Sequence, residues 1–269
     1  MRFEFLDMAP RTPLVEDTYV LEITKEDLPY ESLIVQRGIS HMFRFFSKAP
    51  HRVLRGKELT ELRGIQIQGP NYGAFKVEIL EPSFTIGVCL HPTTMFKLTG
   101  KDMSYVYNGF ASLEEHCPKL FETVSPVFKE SKNDPSLFSE RFYTAIEQLD
   151  LKINQRTKDV DEAIRIIHEN KGLINIKDIT DKVAITSKTL NYQFKKIVGI
   201  TIGRYIRQYR FISLITQYQQ EEIDFYEMMY KYNYYDSSHF TKDFHFFTMQ
   251  SPKEYFKKDY PLINKYLKA

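Results

Sequence analysis

The stretch Thr186-Ser-Lys-Thr-Leu-Asn-Tyr-Gln-Phe-Lys-Lys-Ile-Val198 decides the fold, because Asp236-Ser-Ser-His-Phe-Thr-Lys-Asp-Phe-His-Phe-Phe247 repeats its pattern 50 residues later. In the first copy Leu190, Phe194 and Ile197 recur at i, i+4 and i+7, which places three apolar side chains on one face of a helix. Phe240, Phe244 and Phe247 do the same in the second. The same offset of 50 carries Thr186 onto Asp236, Ser187 onto Ser237, Thr201 onto Ser251 and Tyr205 onto Tyr255, so the match is an internal repeat. A shorter apolar pattern precedes each copy, Ile176, Ile179, Val183 and Ile185 in one and Phe225, Met228, Tyr232 and Tyr234 in the other. Two helices joined by a short turn, the second opened by an N-cap Thr or Asp, read as a helix-turn-helix. The chain holds two.

The outer face of each second helix shows Lys188, Asn191, Tyr192 and Lys195 in copy one and Ser238, Thr241, Lys242 and His245 in copy two. These side chains can hydrogen-bond base edges or phosphate oxygens. A solvated polar face is the ordinary reading of one such helix; duplication at fixed spacing outweighs it. Recognition helices enter the major groove with their N-terminal turns deepest, so Lys188, Asn191, Tyr192, Ser238, Thr241 and Lys242 are expected to read bases. Thr186, Lys195, Lys196, Arg207, Ser237 and His245 are expected to hold phosphate.

Residues 160–256 resemble the DNA-binding domain of the AraC family of bacterial transcription regulators. The segments that carry the resemblance are 176–196, 233–244 and Ser251-Pro-Lys-Glu-Tyr255. It implies seven helices, two of them recognition helices held by a connecting helix and entering successive major grooves, and a structural role for Arg210. The chain departs from the family pattern where Ala184, Asn233 and Met249 replace glycines and where Thr180 and Met229 replace alanines. Asn tolerates a left-handed backbone, whereas Ala and Met resist it.

With 269 residues and 42% hydrophobic content, the chain can build a core in each of two ordinary domains. No N-terminal signal pattern and no long apolar run are present, so the expectation is a cytoplasmic protein without membrane contact. Two cysteines, Cys89 and Cys117, are too few for a disulfide framework. Net charge is +2, but residues 158–269 hold 18 Lys and Arg against 14 Asp and Glu, while the remainder holds 19 against 21. The positive balance falls on the repeats, as phosphate binding requires.

The N-terminal half reads as strands first and helices later. Runs rich in β-branched and aromatic residues at 19–23, 33–36, 41–46, 64–68, 75–80 and 84–90 are separated by Pro and Gly, which suggests an antiparallel sheet or small barrel. Helical patterns follow Pro92 and run in pieces to Val127. Gly87-Val-Cys-Leu-His-Pro92 resembles a sensor-type domain that often precedes the AraC module. Cys89 with His91, and His116 with Cys117, invite a metal or nucleophile reading, but neither pair has C-x-x-C spacing, and buried free cysteine is the default. A small-molecule pocket lined by rings among Phe43 to Phe46, Tyr72 and Phe84 is an expectation from fold analogy, against plain core as the usual role of such rings.

One long helix is expected over 135–153, with Phe142, Ile146, Leu149 and Ile153 spaced by four and three. That stripe makes a homodimer seam or packs on its own domain; the seam is the reading adopted. The polar run 154–159 is expected to be the linker. The reading is therefore an α+β domain over 1–155, for sensing or dimerisation, followed by an all-α double helix-turn-helix domain over 158–260. Its function is that of a sequence-specific DNA-binding transcription regulator, an activator, with double-stranded DNA as partner and no cofactor. RNA polymerase and a small-molecule effector are compatible further partners. The alternative is an enzyme that the helical domain merely delivers to DNA.

Overall fold

The computed structural model describes residues 1–6, 12–220 and 225–257. The expected tail 261–269 and the last residues of the 158–260 domain lie outside them.

The first half holds two antiparallel sheets. Strands β1 (Arg2–Leu6), β2 (Val15–Ile23), β4 (Ser40–Phe46), β7 (Ile65–Gln68), β9 (Ser83–Leu90) and β10 (Phe110–Ser112) form one, in the order β1-β2-β9-β4-β7-β10. Strands β3 (Tyr30–Ile34), β5 (His51–Arg55), β6 (Glu58–Leu62) and β8 (Phe75–Ile79) form the other, in the order β3-β8-β5-β6. The period of two in a strand sorts the side chains of the larger sheet. Val20, Met42, Ile86 and Val88 face the helices and are fully buried. Tyr19, His41, Phe43, Phe45 and Thr85 face the smaller sheet, where a cavity lies between the layers. Gly87 is required in β9 because a Cβ there would lie 2.2 Å from the Tyr19 ring across the ladder.

Helices α1 (Thr94–Thr99), α2 (Leu113–His116), α3 (Pro118–Glu130) and α4 (Phe138–Glu147) cover the larger sheet. Four strands, β1, β5, β6 and β10, were not anticipated, and the strand expected over 33–36 forms earlier, over Tyr30–Ile34. The long helix expected over 135–153 is also corrected, because α4 ends at Glu147. Its apolar stripe packs inward. Phe142 and Ile146 are fully buried, with the Phe142 ring against Phe128 and Phe138, and Ser139 on the same helix shares a 2.6 Å hydrogen bond with Thr18 of β2. Leu149 is half-buried and Ile153 exposed, both beyond the helix end, so the four residues do not share one exposed helical face.

The second half is helical. It runs through α5 (Gln155–Glu169), α6 (Ile176–Val183), α7 (Ser187–Val198), α8 (Ile202–Gln220), α9 (Phe225–Lys231), α10 (Ser237–Thr248) and α11 (Pro252–Lys257), the seven helices the resemblance implies. The linker expected over 154–159 differs in the structure. Asn154 caps α5 by accepting from the Arg156 and Thr157 amides, so 155–159 are already helical. The two halves share their core. Val160, Ile164, Phe194 and Tyr205 belong to the same buried cluster as Met42, Val88 and Met103.

Candidate nucleic-acid interface

Both copies of the repeat form, and by the same local rules. Thr186 accepts a hydrogen bond from the Thr189 amide at the start of α7, and Asp236 accepts one from the His239 amide at the start of α10. Each cap satisfies a donor that the first helical turn leaves free. Leu190, Phe194 and Ile197 on α7, and Phe240, Phe244 and Phe247 on α10, are all buried. Each helix ends in a left-handed residue whose amide bonds back into the last turn, Gly199 to the Lys195 carbonyl and Met249 to that of His245.

With the apolar stripes buried, the opposite faces are left to solvent. Lys188, Asn191 and Tyr192 are exposed on α7, and Ser238, Thr241 and Lys242 on α10. Of the phosphate candidates, Thr186, Lys195, Ser237 and His245 are exposed and Lys196 is half-buried. Arg207 differs from these, being half-buried and already paired within the protein. Its Nε and Nη2 donate to the Asp243 carboxylate, and its Nη1 donates to the Tyr72 hydroxyl at 2.9 Å. Its donors face protein, and the ion pair raises its pKa against the opposing cost of burial. Arg210 lies over the Tyr234 ring with Nη2 3.8 Å from Asp243, the structural place that the resemblance implies. Asp243, missed from the sequence, is therefore the hub that ties α8 to α10. Its only sequence signal is an acidic residue one step off the exposed stripe.

The N-terminal half holds this assembly from behind. The Gln208 side-chain amide, on α8, donates to the Gln36 carbonyl at 3.0 Å and to the Asn71 carbonyl at 2.7 Å. Arg204 donates to the Tyr107 hydroxyl at 2.8 Å. Gly199 is needed at the end of α7 both for its φ of 104° and because a Cβ there would sit 2.9 Å from the Met103 carbonyl oxygen and from Pro70. Lys97, buried on α1, pairs with Asp161 of α5 at 2.8 Å.

The cavity between the sheets has a volume of about 120 Å³. Of the rings expected to line a pocket, Phe43 and Phe45 do so. Phe46 and Phe84 instead face each other 6.2 Å apart, and Tyr72 packs on Phe246 and Phe247 where the halves meet. Loss of hydration lowers the pKa of His41 to about 3 and that of His51 to about 4, so both line the cavity as neutral rings. Cys89 lies 3.6 Å from His41 rather than pairing with His91, and both cysteines are buried and in no disulfide. His91 instead turns to Thr93 at 2.9 Å and towards Asp161.

A family model described as a helix-turn-helix domain matches residues 179–258, which span α7 and α10 entirely. Among solved structures, ToxT from Vibrio cholerae is similar at 13% identity and a TM-score of 0.49, covering 89% of this chain and 97% of that one. A second ToxT structure from the same organism, bound to an unsaturated fatty acid, is similar at 12% identity and a TM-score of 0.46, covering 92% and 96%. The AraC-like transcriptional activator CuxR is similar at 15% identity and a TM-score of 0.22, covering 76% and 75%. No curated protein sequence matches the chain.

Proposed function

We propose that this chain, a DNA-binding transcription regulator with an AraC-type helix-turn-helix domain rather than an enzyme, reads two successive major grooves, one with α7 and one with α10. One observation carries the reading: each repeat starts with a side-chain cap and buries its apolar stripe while leaving the same polar face to solvent. On that face Lys188, Asn191, Tyr192, Ser238, Thr241 and Lys242 are the base readers. Thr186, Lys195, Lys196, Ser237 and His245 are the phosphate holders, and Arg207 leaves that set. Since both helices are carried by α8, the bases they read lie about one helical turn apart, roughly 10 base pairs.

Asn191 can bond adenine at two atoms and Lys242 can donate to guanine. Asn191→Ala and Lys242→Ala are each expected to cost roughly 1–3 kcal/mol and to relax preference at one base position. Lys196→Ala is expected to weaken all duplexes alike and to lower the salt slope by about one unit. Binding-site selection on the wild type and these variants tests the assignment, and unaltered base preferences for Asn191→Ala would sink it.

The reading extends to a cytoplasmic activator that works with RNA polymerase and answers a small-molecule effector held in the N-terminal half. No helix among the described residues is long and apolar enough to cross a membrane. The cavity between the sheets supports the effector. A homodimer would have to use a surface other than Phe142 and Ile146, which the fold has already buried.

A further inference from the structure

The inter-sheet cavity has a chemistry of its own. None of the residues that line it is Lys, Arg, Asp or Glu, and its two histidines are neutral. A carboxylate or ammonium placed there would lose its hydration without a charged lining residue to pair with. The wall nevertheless contains two polar atoms that call for a partner. His51 Nε2 and Thr85 Oγ1 have no hydrogen-bond partner among the described residues, and their residues are 2% and 3% exposed. Leaving such atoms unsatisfied is costly, and native proteins do so mainly where something else supplies the bond.

The two atoms serve the same end of the cavity. Thr85 of β9 lies directly across the ladder from Phe45 of β4, and the His51 ring sits on the Phe45 ring with centroids 3.8 Å apart. The volume of about 120 Å³ sets the scale, since an apolar cavity of roughly 150 Å³ takes up benzene. One ring with a short polar substituent fits.

The opposite end of the cavity leads out of the sensor half. Gln68, which lines the cavity opposite His41 in the β4–β7 register, donates its amide to the Gln36 side chain at 2.7 Å. The main-chain carbonyl of the same Gln36 accepts from the Gln208 amide of α8, and all three glutamines are buried. Beside them Val35 lines the cavity and also belongs to the apolar cluster that holds Phe211 of α8 and Tyr232 and Phe247 of the second helix-turn-helix. The segment 35–36 is thus a shared wall. The segment cannot shift to accommodate a ligand without changing what α8 rests on, because close-packed cores transmit displacement rather than absorb it.

We propose that the cavity binds a small, uncharged, mostly apolar ligand through a hydroxyl or carbonyl group bonded by His51 and Thr85, and that Gln68, Gln36 and Gln208 couple its occupancy to DNA affinity. The first part concerns the protein whatever it regulates; the second rests on the DNA-binding reading above. Coupling requires only that the ligand favour one setting of the shared wall, and the effect is then reciprocal.

The test uses the full chain at about pH 7.5, with benzyl alcohol, toluene and benzoate as calorimetric probes and a selected duplex for DNA affinity. Benzyl alcohol is expected to bind, toluene to bind more weakly and benzoate not to bind. Thr85→Val, which keeps the side chain's shape, is expected to weaken benzyl alcohol about tenfold and leave toluene unchanged. Saturating benzyl alcohol is expected to change duplex affinity by about fivefold or more, and Gln208→Met to retain probe binding while losing that response. Should Gln208→Met fold poorly, Gln68→Met interrupts the same relay from the cavity side. Failure of both uncharged probes, binding of benzoate as tight as that of benzyl alcohol, or a crystallographic water bridging His51 and Thr85 that no probe displaces would overturn the site. Probe binding with unchanged duplex affinity would overturn the coupling alone. Absence of duplex binding in the probe-free protein would instead strike the DNA-binding reading and leave the cavity chemistry standing.

Discussion

Single residues carry conflicts that the fold resolves at a cost. Ala184, Asn233 and Met249 close their helices or turns with φ of 57°, 57° and 59°. Asn adopts this region readily, but for Ala and Met it costs roughly 1 kcal/mol each. Ala184→Gly and Met249→Gly are therefore each expected to stabilise the protein by about 1 kcal/mol, less any entropy that glycine adds to the unfolded chain. Paired urea titrations check this, and a destabilised Ala184→Gly would contradict the strain argument. The neutral histidines make stability depend on pH. His41 and His51 have folded pKa values lowered to about 3 and about 4, while the unfolded chain takes up these protons near pH 6.5. Their contribution is present above about pH 6.5 and fades as pH falls towards the folded values, about 4 for His51 and about 3 for His41, by roughly 2 kcal/mol per histidine at about pH 4.5. His51→Phe should flatten this dependence, as read from urea midpoints across that range. Asp243 is 1% exposed and serves two arginines and the Tyr234 hydroxyl. Asp243→Ala leaves those partners uncompensated and is expected to cost roughly 3–5 kcal/mol, measured by thermal melting.

Among the elements, α4 shows how a stripe can be read correctly and assigned to the wrong partner. Phe142 and Ile146 have the spacing of a two-helix seam, and they do meet helices and a sheet, but those of their own chain. Spacing reports that a face is apolar; it does not report what covers it. Ile146→Lys should therefore bury an unpaired ammonium and cost at least about 3 kcal/mol, or prevent folding, rather than produce a well-folded monomer. Sedimentation combined with thermal melting separates these outcomes. For α7 and α10 no such ambiguity arises, because the capped start, the apolar stripe and the left-handed end agree within a dozen residues.

At the scale of the whole molecule, the halves are not beads on a linker. Tyr205 is fully buried and packs in the cluster that includes Met42 and Val88, and Gln208 finds its acceptors on Gln36 and Asn71. Cutting between the halves would expose those groups. A fragment starting at residue 158 would also lose the Asn154 cap and the first residues of α5. Residues 154–269 are expected to melt at a higher temperature than residues 158–269, and both well below the full chain. Differential scanning calorimetry of the three decides it, and equal melting temperatures would mean that the shared core contributes nothing.

What the amino-acid sequence determined by itself is the repeat. The caps at Thr186 and Asp236, the buried stripes and the polar faces of α7 and α10 follow from helical periodicity and backbone hydrogen bonding over short windows, where the causes lie next to their effects. The strands β2, β4, β7, β8 and β9 were legible on similar grounds, whereas β1 alternates over only five residues at the chain's start and β10 and the β5–β6 hairpin are short, so none of them stands out. Only the tertiary structure decided that Asp243 pairs with Arg207, that α4 is covered from within, that rings at Phe43 and Phe45 enclose space while those at Phe46 and Phe84 do not, and that Gln68, Gln36 and Gln208 form one line. Each of these depends on which separate elements meet in space, and such contacts leave no period in a sequence to be read.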